Sequence, residues 1–116
     1  MYDENNIFAK ILRKEIPCDK VHEDEFSLFF NDINPKAKIH VLGIPKFPCT
    51  TFSDFLNNAD NENITSFFKS IQLVINNIKI ESAGYRLITN SGEDGGQEVP
   101  HFHIHILAGE KIGSLR

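Results

Sequence analysis

No block of Lys or Arg occurs in the 116-residue chain, and its 12 basic residues are outnumbered by 16 acidic ones, for a formal charge of -4. A protein that holds DNA or RNA without regard to sequence needs a basic footprint to displace phosphate counterions, so that class is excluded, whereas a single nucleotide as ligand is not. No stretch approaches the roughly 18 apolar residues of a membrane span. Met1 to Asn6 is acidic and polar, where a secretory signal is basic and then apolar. These absences predict a cytoplasmic protein with no membrane partner. Cysteine is scarce as well. Cys18 and Cys49 form no Cys-x-x-Cys pair, so neither a thioredoxin-type redox site nor a four-Cys zinc site is available. In a reducing compartment they read as two small apolar thiols. Cys18 and His22 have a ligand-like spacing, but no second pair completes a tetrahedral site.

What is present is an ordinary folding composition, 41% hydrophobic and 24% charged, far from that of a disordered chain. At this size folding hides roughly 65% of the surface of the unfolded chain, enough for one core and one domain over residues 1–116. Asn6 through Lys14 reads as a short helix, with Asn5 or Asn6 as cap, Ile7, Phe8, Ile11 and Leu12 as its apolar stripe, and Ile16-Pro17 as its stop. Strands are expected at Lys20–Glu23, Phe26–Asp32 and Ile39–Lys46, and Phe52–Leu56 as a helical turn. Ile64, Phe67, Phe68, Ile71, Val74, Ile75 and Ile78 recur at 3.6-residue spacing, which predicts one long helix from Asp60 to Ser82, stopped at Ala83-Gly84. Tyr85–Thr89 and His101–Ala108 complete the strands. Hairpin-scale connections around one long helix indicate an α+β domain with an antiparallel sheet.

Three of the five histidines lie within five residues. In His101-Phe102-His103-Ile104-His105-Ile106 the alternation places three imidazoles on one strand face and an apolar set on the other. Two chemistries use such a face. Neutral imidazoles can bind zinc or another transition metal, as a metal-dependent phosphohydrolase would require. Alternatively, one imidazole attacks phosphorus while its neighbours orient it and move protons. The second reading calls for an anion-binding loop, and Asn90 to Gln97 contains three Gly whose successive N–H groups are expected to form a nest. Asp32 beside Asn34-Pro35 also reads as a turn residue, His40 as a core histidine, and His22, which fits no motif, as a surface residue.

These residues resemble the histidine triad (HIT) superfamily, whose signature alternates three His with apolar residues, and within it the Hint branch of purine nucleoside phosphoramidate hydrolases. The resemblance runs through Ile7 to Ile11, Lys14 to Pro17, Asp32 to Ala37, His40, Ile44 to Lys46, Gly84 to Arg86 and Asn90 to His105. It implies a five-stranded antiparallel sheet with one long and one short helix, and a homodimer joining two sheets into one of ten strands. It further implies cleavage of the P–N bond of adenosine or guanosine 5′-phosphoramidates through a nucleotidyl-histidine, without metal or cofactor. His103 would be the nucleophile, His105 would contact the phosphate and assist the leaving amine, and His101 and His40 would support them. Asp32 would hold the ribose hydroxyls. Asn90 and the segment Gly96, Gln97, Glu98 and Val99 would face the phosphate of an AMP- or GMP-type ligand. Ile7, Phe8, Ile11, Phe30 and Ile33 would line the purine pocket. A nucleotide-binding module without turnover is the non-enzymatic alternative. The chain departs from the animal pattern at Glu98, where those proteins carry Ser, at Pro100, where they carry an aromatic residue, and in a tail lacking Trp-Pro. The bacterial type shares the Glu.

Overall fold

The structure is a computed structural model and describes residues 1–115. Its helices are α1 (Ile7–Leu12), α2 (Phe52–Asn58) and α3 (Asn61–Asn77), and its strands are β1 (Lys20–Glu23), β2 (Ser27–Asn31), β3 (Ile39–Pro45), β4 (Arg86–Ile88) and β5 (Ile104–Ala108). The strands form one antiparallel sheet in the order β1-β2-β3-β5-β4. One long helix and two short ones, rather than one of each, accompany it, because Phe52–Leu56 extends into a full helix. Thr51 caps that helix by accepting the Asp54 N–H at 3.0 Å.

Sequence periodicity placed the helix starts well and the helix ends poorly. Asn6 accepts the Ala9 N–H at 2.9 Å and Asp60 accepts the Asn63 N–H at 2.8 Å, so both caps fall where short polar side chains precede the apolar stripe. The C-termini come earlier than expected because Lys14 (φ 65°) and Lys79 (φ 62°) adopt the left-handed conformation. Backbone bonds from Glu15 N–H to the Lys10 carbonyl and from Ile80 N–H to the Ile75 carbonyl then close each helix in the Schellman manner. Ending α3 at Asn77 instead of Ser82 lets Ile80 turn into the core, where it is 4% exposed.

The sheet has two dissimilar faces. One packs against α2 and α3 through Phe29, Val41, Phe55, Phe67, Ile71, Val74, Phe102, Ile104 and Ile106. Aromatic rings dominate this layer: Phe55 stacks on Phe102 at 5.2 Å and Phe29 on Phe67 at 6.1 Å. The other face carries a smaller cluster of Phe8, Ile11, Leu28, Phe30, Leu42 and Ile44 under α1. Beyond that cluster, on the same face, lie the histidines. His22 proves half-buried rather than superficial. Its Nε2 lies 2.9 Å from Asp24 Oδ2, where Asp24 also takes bonds from the hydroxyls of Ser70 (2.6 Å) and Ser27 (2.8 Å). Burial pushes the Asp24 carboxyl up, but these donors outweigh it and hold it well below the usual carboxylate range. This clasp fastens α3 to the β1–β2 turn. Both cysteines are free thiols, Cys49 in the core and Cys18 partly exposed.

Gly43 on β3 stands opposite Phe29, and a Cβ built there would lie 2.4 Å from the Phe29 ring. That ring is fully buried and stacked on Phe67, so a shift would disturb the core. Gly43→Ala is expected to lower unfolding free energy by about 1–3 kcal/mol through overpacking, measured by urea titration; an unchanged midpoint would refute the close-packing of this strand pair.

Candidate active site

The register of β3 against β5 places His40 opposite Leu107 and Leu42 opposite His105, so the imidazoles of adjacent strands meet diagonally on the α1 face. The regular strand begins only at Ile104. Residues 101–103 keep the alternation, but their backbone bonds go elsewhere: the His101 N–H to Val99, the Phe102 N–H to Cys49, and the His103 carbonyl to the Thr89 hydroxyl at 2.8 Å. Phe102, Ile104 and Ile106 enter the large core as the pattern requires. His101, His103 and His105 face the opposite way, and His101 and His103 are themselves buried.

The partner of each ring nitrogen settles where each proton sits. The Lys36 backbone N–H donates to His40 Nδ1 at 3.0 Å, so the proton of neutral His40 is on Nε2. From there it points at His105 Nδ1, 2.9 Å away, and at Asp32 Oδ2, 3.4 Å away. His105 therefore accepts at Nδ1 and carries its own proton on Nε2. His103 Nδ1–H donates to the His101 carbonyl at 2.7 Å, which leaves the His103 Nε2 with an unshared electron pair. His101 Nε2–H donates to the Pro45 carbonyl at 2.8 Å, and its Nδ1 accepts the Tyr2 hydroxyl at 2.6 Å. Four histidines thus have four assigned tautomers.

Burial keeps the four neutral. It pushes His101 down to about 4 against a bond to the Pro45 carbonyl that favours the charged form. His105 is likewise pushed down to about 4 by burial and by the neighbouring His103 and His40, with Asp32 opposing. His40 and His103 are lowered by burial too, partly offset at His40 by Asp32 and at His103 by the His101 carbonyl and Asp32.

A cavity of about 430 Å³ opens over this cluster, of the size that small-molecule sites occupy. His40, His103, His105, Phe8, Asp32, Asn90, Gly96, Glu98 and Val99 line it, as do Asn34, Lys36, Leu42, Ile88 and Leu107, to which the sequence assigned no site role. His101 lies behind the lining. Of the other apolar residues expected at a purine, Ile11 and Phe30 are buried in the smaller core, while Ile7 (45%) and Ile33 (86%) are exposed. Asp32 is both turn and site residue, since one oxygen accepts the Asn34 N–H at 2.8 Å and the other faces His40.

The glycine-rich loop departs from expectation. The N–H groups of Gly92, Gly96 and Gln97 are not presented as a nest, because they bond within the loop, to the Gln97 side-chain carbonyl, Glu93 and Gly92 respectively. Gln97 does not face the cavity either. Its amide donates to the Thr50 and Val99 carbonyls at 2.7 and 3.0 Å, tying the loop to the segment before α2. The loop therefore shapes the cavity wall at Gly96, Glu98 and Val99, and Tyr2, which belongs to no motif, is the unexpected member of the histidine network.

Asp32, His40 and His105 present one ligand atom each within 4.8 Å of one another, a grouping that invites a metal ion. The donor set does not fit one. His40 Nε2 bears a proton because Nδ1 is occupied by the Lys36 N–H, and His105 Nδ1 uses its electron pair to accept that proton. A metal at His40 Nε2 requires both bonds to be broken, and one at His105 Nδ1 requires the loss of the bond from His40.

Residues 13–112 match the HIT domain. A HIT-like protein of Azospirillum brasilense is 46% identical over 114 residues, 98% of this chain and 93% of that protein. The purine nucleoside phosphoramidase of Escherichia coli is 39% identical over 113 residues, 97% of this chain and 93% of that one. Among solved structures, a HIT family hydrolase from Clostridium thermocellum superposes with a TM-score of 0.87 at 38% identity, covering 97% of this chain and 96% of that chain. A histidine triad nucleotide-binding protein from Candida albicans gives 0.79 at 28% identity, covering 88% and 73%. With one hundred of its residues matched to the family and relatives aligned almost end to end, the chain belongs to the HIT domain family.

Proposed function

We propose that the protein hydrolyses purine nucleoside 5′-phosphoramidates by covalent catalysis at His103. The observation that carries this reading is the 2.7 Å bond from His103 Nδ1 to the His101 carbonyl, which leaves a neutral imidazole with its free electron pair on Nε2 beside a nucleotide-sized cavity. Relatives named purine nucleoside phosphoramidase, HIT family hydrolase and histidine triad nucleotide-binding protein support it.

In the first half-reaction the Nε2 pair of His103 forms a bond to the α-phosphorus and the P–N bond to the leaving amine breaks. The amine nitrogen keeps the electron pair and takes the proton that His105 carries on Nε2, and the negative charge this leaves on the His105–His40 pair is balanced by the positive charge the His103 ring, still protonated at Nδ1, acquires on bonding to phosphorus. His40 Nε2–H, 2.9 Å behind His105 Nδ1, supports His105 while that proton is away. In the second half-reaction water attacks phosphorus, the bond to His103 breaks, and the proton released by water returns to His105. The products are the nucleoside monophosphate and the free amine. Covalent catalysis divides one difficult displacement into two easier ones. Asp32 is assigned to the ribose, its carboxylate having lone pairs left for two hydroxyls beside the bond to Asn34. Phe8, Ile7 and Ile33 are assigned to the base, with Ile11 and Phe30 as the packing beneath. Asn90, Gly96 and Val99 are assigned to the phosphate side, whereas Gln97 supports the loop.

The homodimer belongs to the same reading. Of the two sheet edges, β1 is irregular and carries the Lys20–Glu23 and Lys46–Glu23 ion pairs, which blunt it against pairing. The edge of β4 exposes Leu87 and is the one where a second copy would extend the sheet to ten strands. Sedimentation at twice the 13.2 kDa subunit mass is the expected result, and a monomer at assay concentration would contradict it.

His103→Ala is expected to lower kcat/KM on an adenosine phosphoramidate by at least about a thousandfold, since it removes the covalent step. Activity within tenfold of the unsubstituted protein would reject the mechanism, and turnover abolished by EDTA would favour a metal instead. The pH dependence has a definite sign. The active His103 is neutral and its pKa lies below the ordinary 6.5, so kcat/KM should be level at neutrality and fall only as pH drops below 6.5. An acid-side midpoint above 6.5 would contradict burial as the controlling influence.

A further inference from the structure

We propose that Tyr2 is a positioning residue of the reaction, its hydroxyl locking the His101 ring so that the His101 backbone carbonyl holds the Nδ1 proton of His103. The proposal rests on His103 as the nucleophile and extends the network to a residue remote from the cavity. Three successive contacts define it: Tyr2 hydroxyl to His101 Nδ1 at 2.6 Å, His101 Nε2 to the Pro45 carbonyl at 2.8 Å, and His103 Nδ1 to the His101 carbonyl at 2.7 Å.

The His101 peptide is held by the Val99 carbonyl, by the Phe102 N–H on Cys49 and by its own ring. The β5 ladder begins at Ile104 and its pairing with β3 at Gly43–Ile104, so His101 lies outside the regular hydrogen-bonded sheet. Its ring is fully buried. A bond at Nε2 alone leaves the ring free to tilt about that contact, and a second bond at Nδ1 fixes its plane. Removing the donor at Nδ1 also leaves a buried acceptor unpaired, which is unfavourable unless the ring or its backbone moves. Aromatic packing transmits the same constraint: Tyr2 meets His101 edge-on at 5.6 Å, and Phe8 meets His101 at 6.4 Å and His103 at 4.9 Å. Asp3, the residue after Tyr2, is anchored to α1, because Asn6, the helix cap, donates from its side chain and its backbone to the Asp3 carbonyl at 2.7 and 3.2 Å. Since Tyr2 does not line the cavity, its removal should act on the chemical step and leave nucleotide binding nearly unchanged.

The test is Tyr2→Phe in the full chain, which keeps the ring and deletes the hydroxyl. Expected are a fall in kcat of about tenfold with KM within about twofold, and faster solvent exchange of the His103 Nδ1 proton, followed by nitrogen-edited NMR. A kcat/KM within about twofold of the unsubstituted protein, or a loss of any size with the His103 proton unchanged, overturns the proposal. If the unsubstituted protein does not turn over phosphoramidates, the functional reading fails, and the NMR comparison alone decides the role of Tyr2. Should Tyr2→Phe not fold, the His101 ring of the unsubstituted protein gives the decision: a proton on Nε2 with a hydrogen-bonded Nδ1 supports the relay, and a proton on Nδ1 overturns it.

Discussion

A proton held on Nδ1 of His103 is the constraint around which the site is arranged. Imidazole has two nitrogens and, when neutral, one proton between them, so fixing that proton at one nitrogen frees the electron pair at the other. Here the fixing group is the carbonyl two residues earlier, a contact available because residues 101–103 alternate like a strand without joining its ladder. Full pairing of His101 to β3 would direct that carbonyl along the sheet. The fold accordingly holds this segment by other means: the Thr89 hydroxyl on the His103 carbonyl, the Phe102 N–H on Cys49, and the His101 ring on Pro45. Phe102, sandwiched in the aromatic core, anchors the opposite face.

The electrostatics follow from burial more than from charge. The chain is acidic, and its cavity contains a carboxylate at Asp32, an exposed one at Glu98 and one cation at Lys36. A site for a phosphorylated ligand without a basic surface is reasonable when the groups facing phosphorus are neutral imidazoles. In the proposed mechanism one of them offers an electron pair and another an N–H, so an anion would be engaged by hydrogen bonding and covalent attack and not through net charge. Burial supplies the neutrality, depressing all four histidines of the cluster. A metal at Asp32, His40 and His105 is disfavoured because His40 Nε2 and His105 Nδ1 are engaged with each other and the Lys36 N–H on Nδ1 holds His40 in that tautomer.

Much of this was legible in the sequence because it depends on period and order. The alternation from His101 to Ile106 put the imidazoles and the apolar side chains on opposite faces, as observed, and the β1, β2 and β3 segments fell on or close to their observed ranges, whereas β5 begins three residues later than expected. What the sequence concealed depends on backbone conformations and long-range contacts. The left-handed Lys14 and Lys79 end helices at residues with no such local preference, so α3 stops five residues before the apolar pattern suggests. Three glycines implied a nest, yet the Gln97 side chain folds back and the N–H groups of Gly92, Gly96 and Gln97 bond within the loop. His22 had no motif to pair it with Asp24 and Ser70, which lies 46 residues beyond Asp24. Tyr2 had even less, since its contact with His101 spans 99 residues and carries no spacing signal.

The proposed mechanism requires a covalent bond between His103 and the nucleotide. Its most direct test is mass spectrometry of the protein quenched in acid-free denaturant during turnover of an adenosine phosphoramidate, followed by peptide mapping. The account predicts a nucleotidyl adduct on the peptide containing residues 101–105, localised to His103 and absent from His103→Ala. Rapid turnover with no adduct under quenching faster than a catalytic cycle, or an adduct localised to His105, would contradict it.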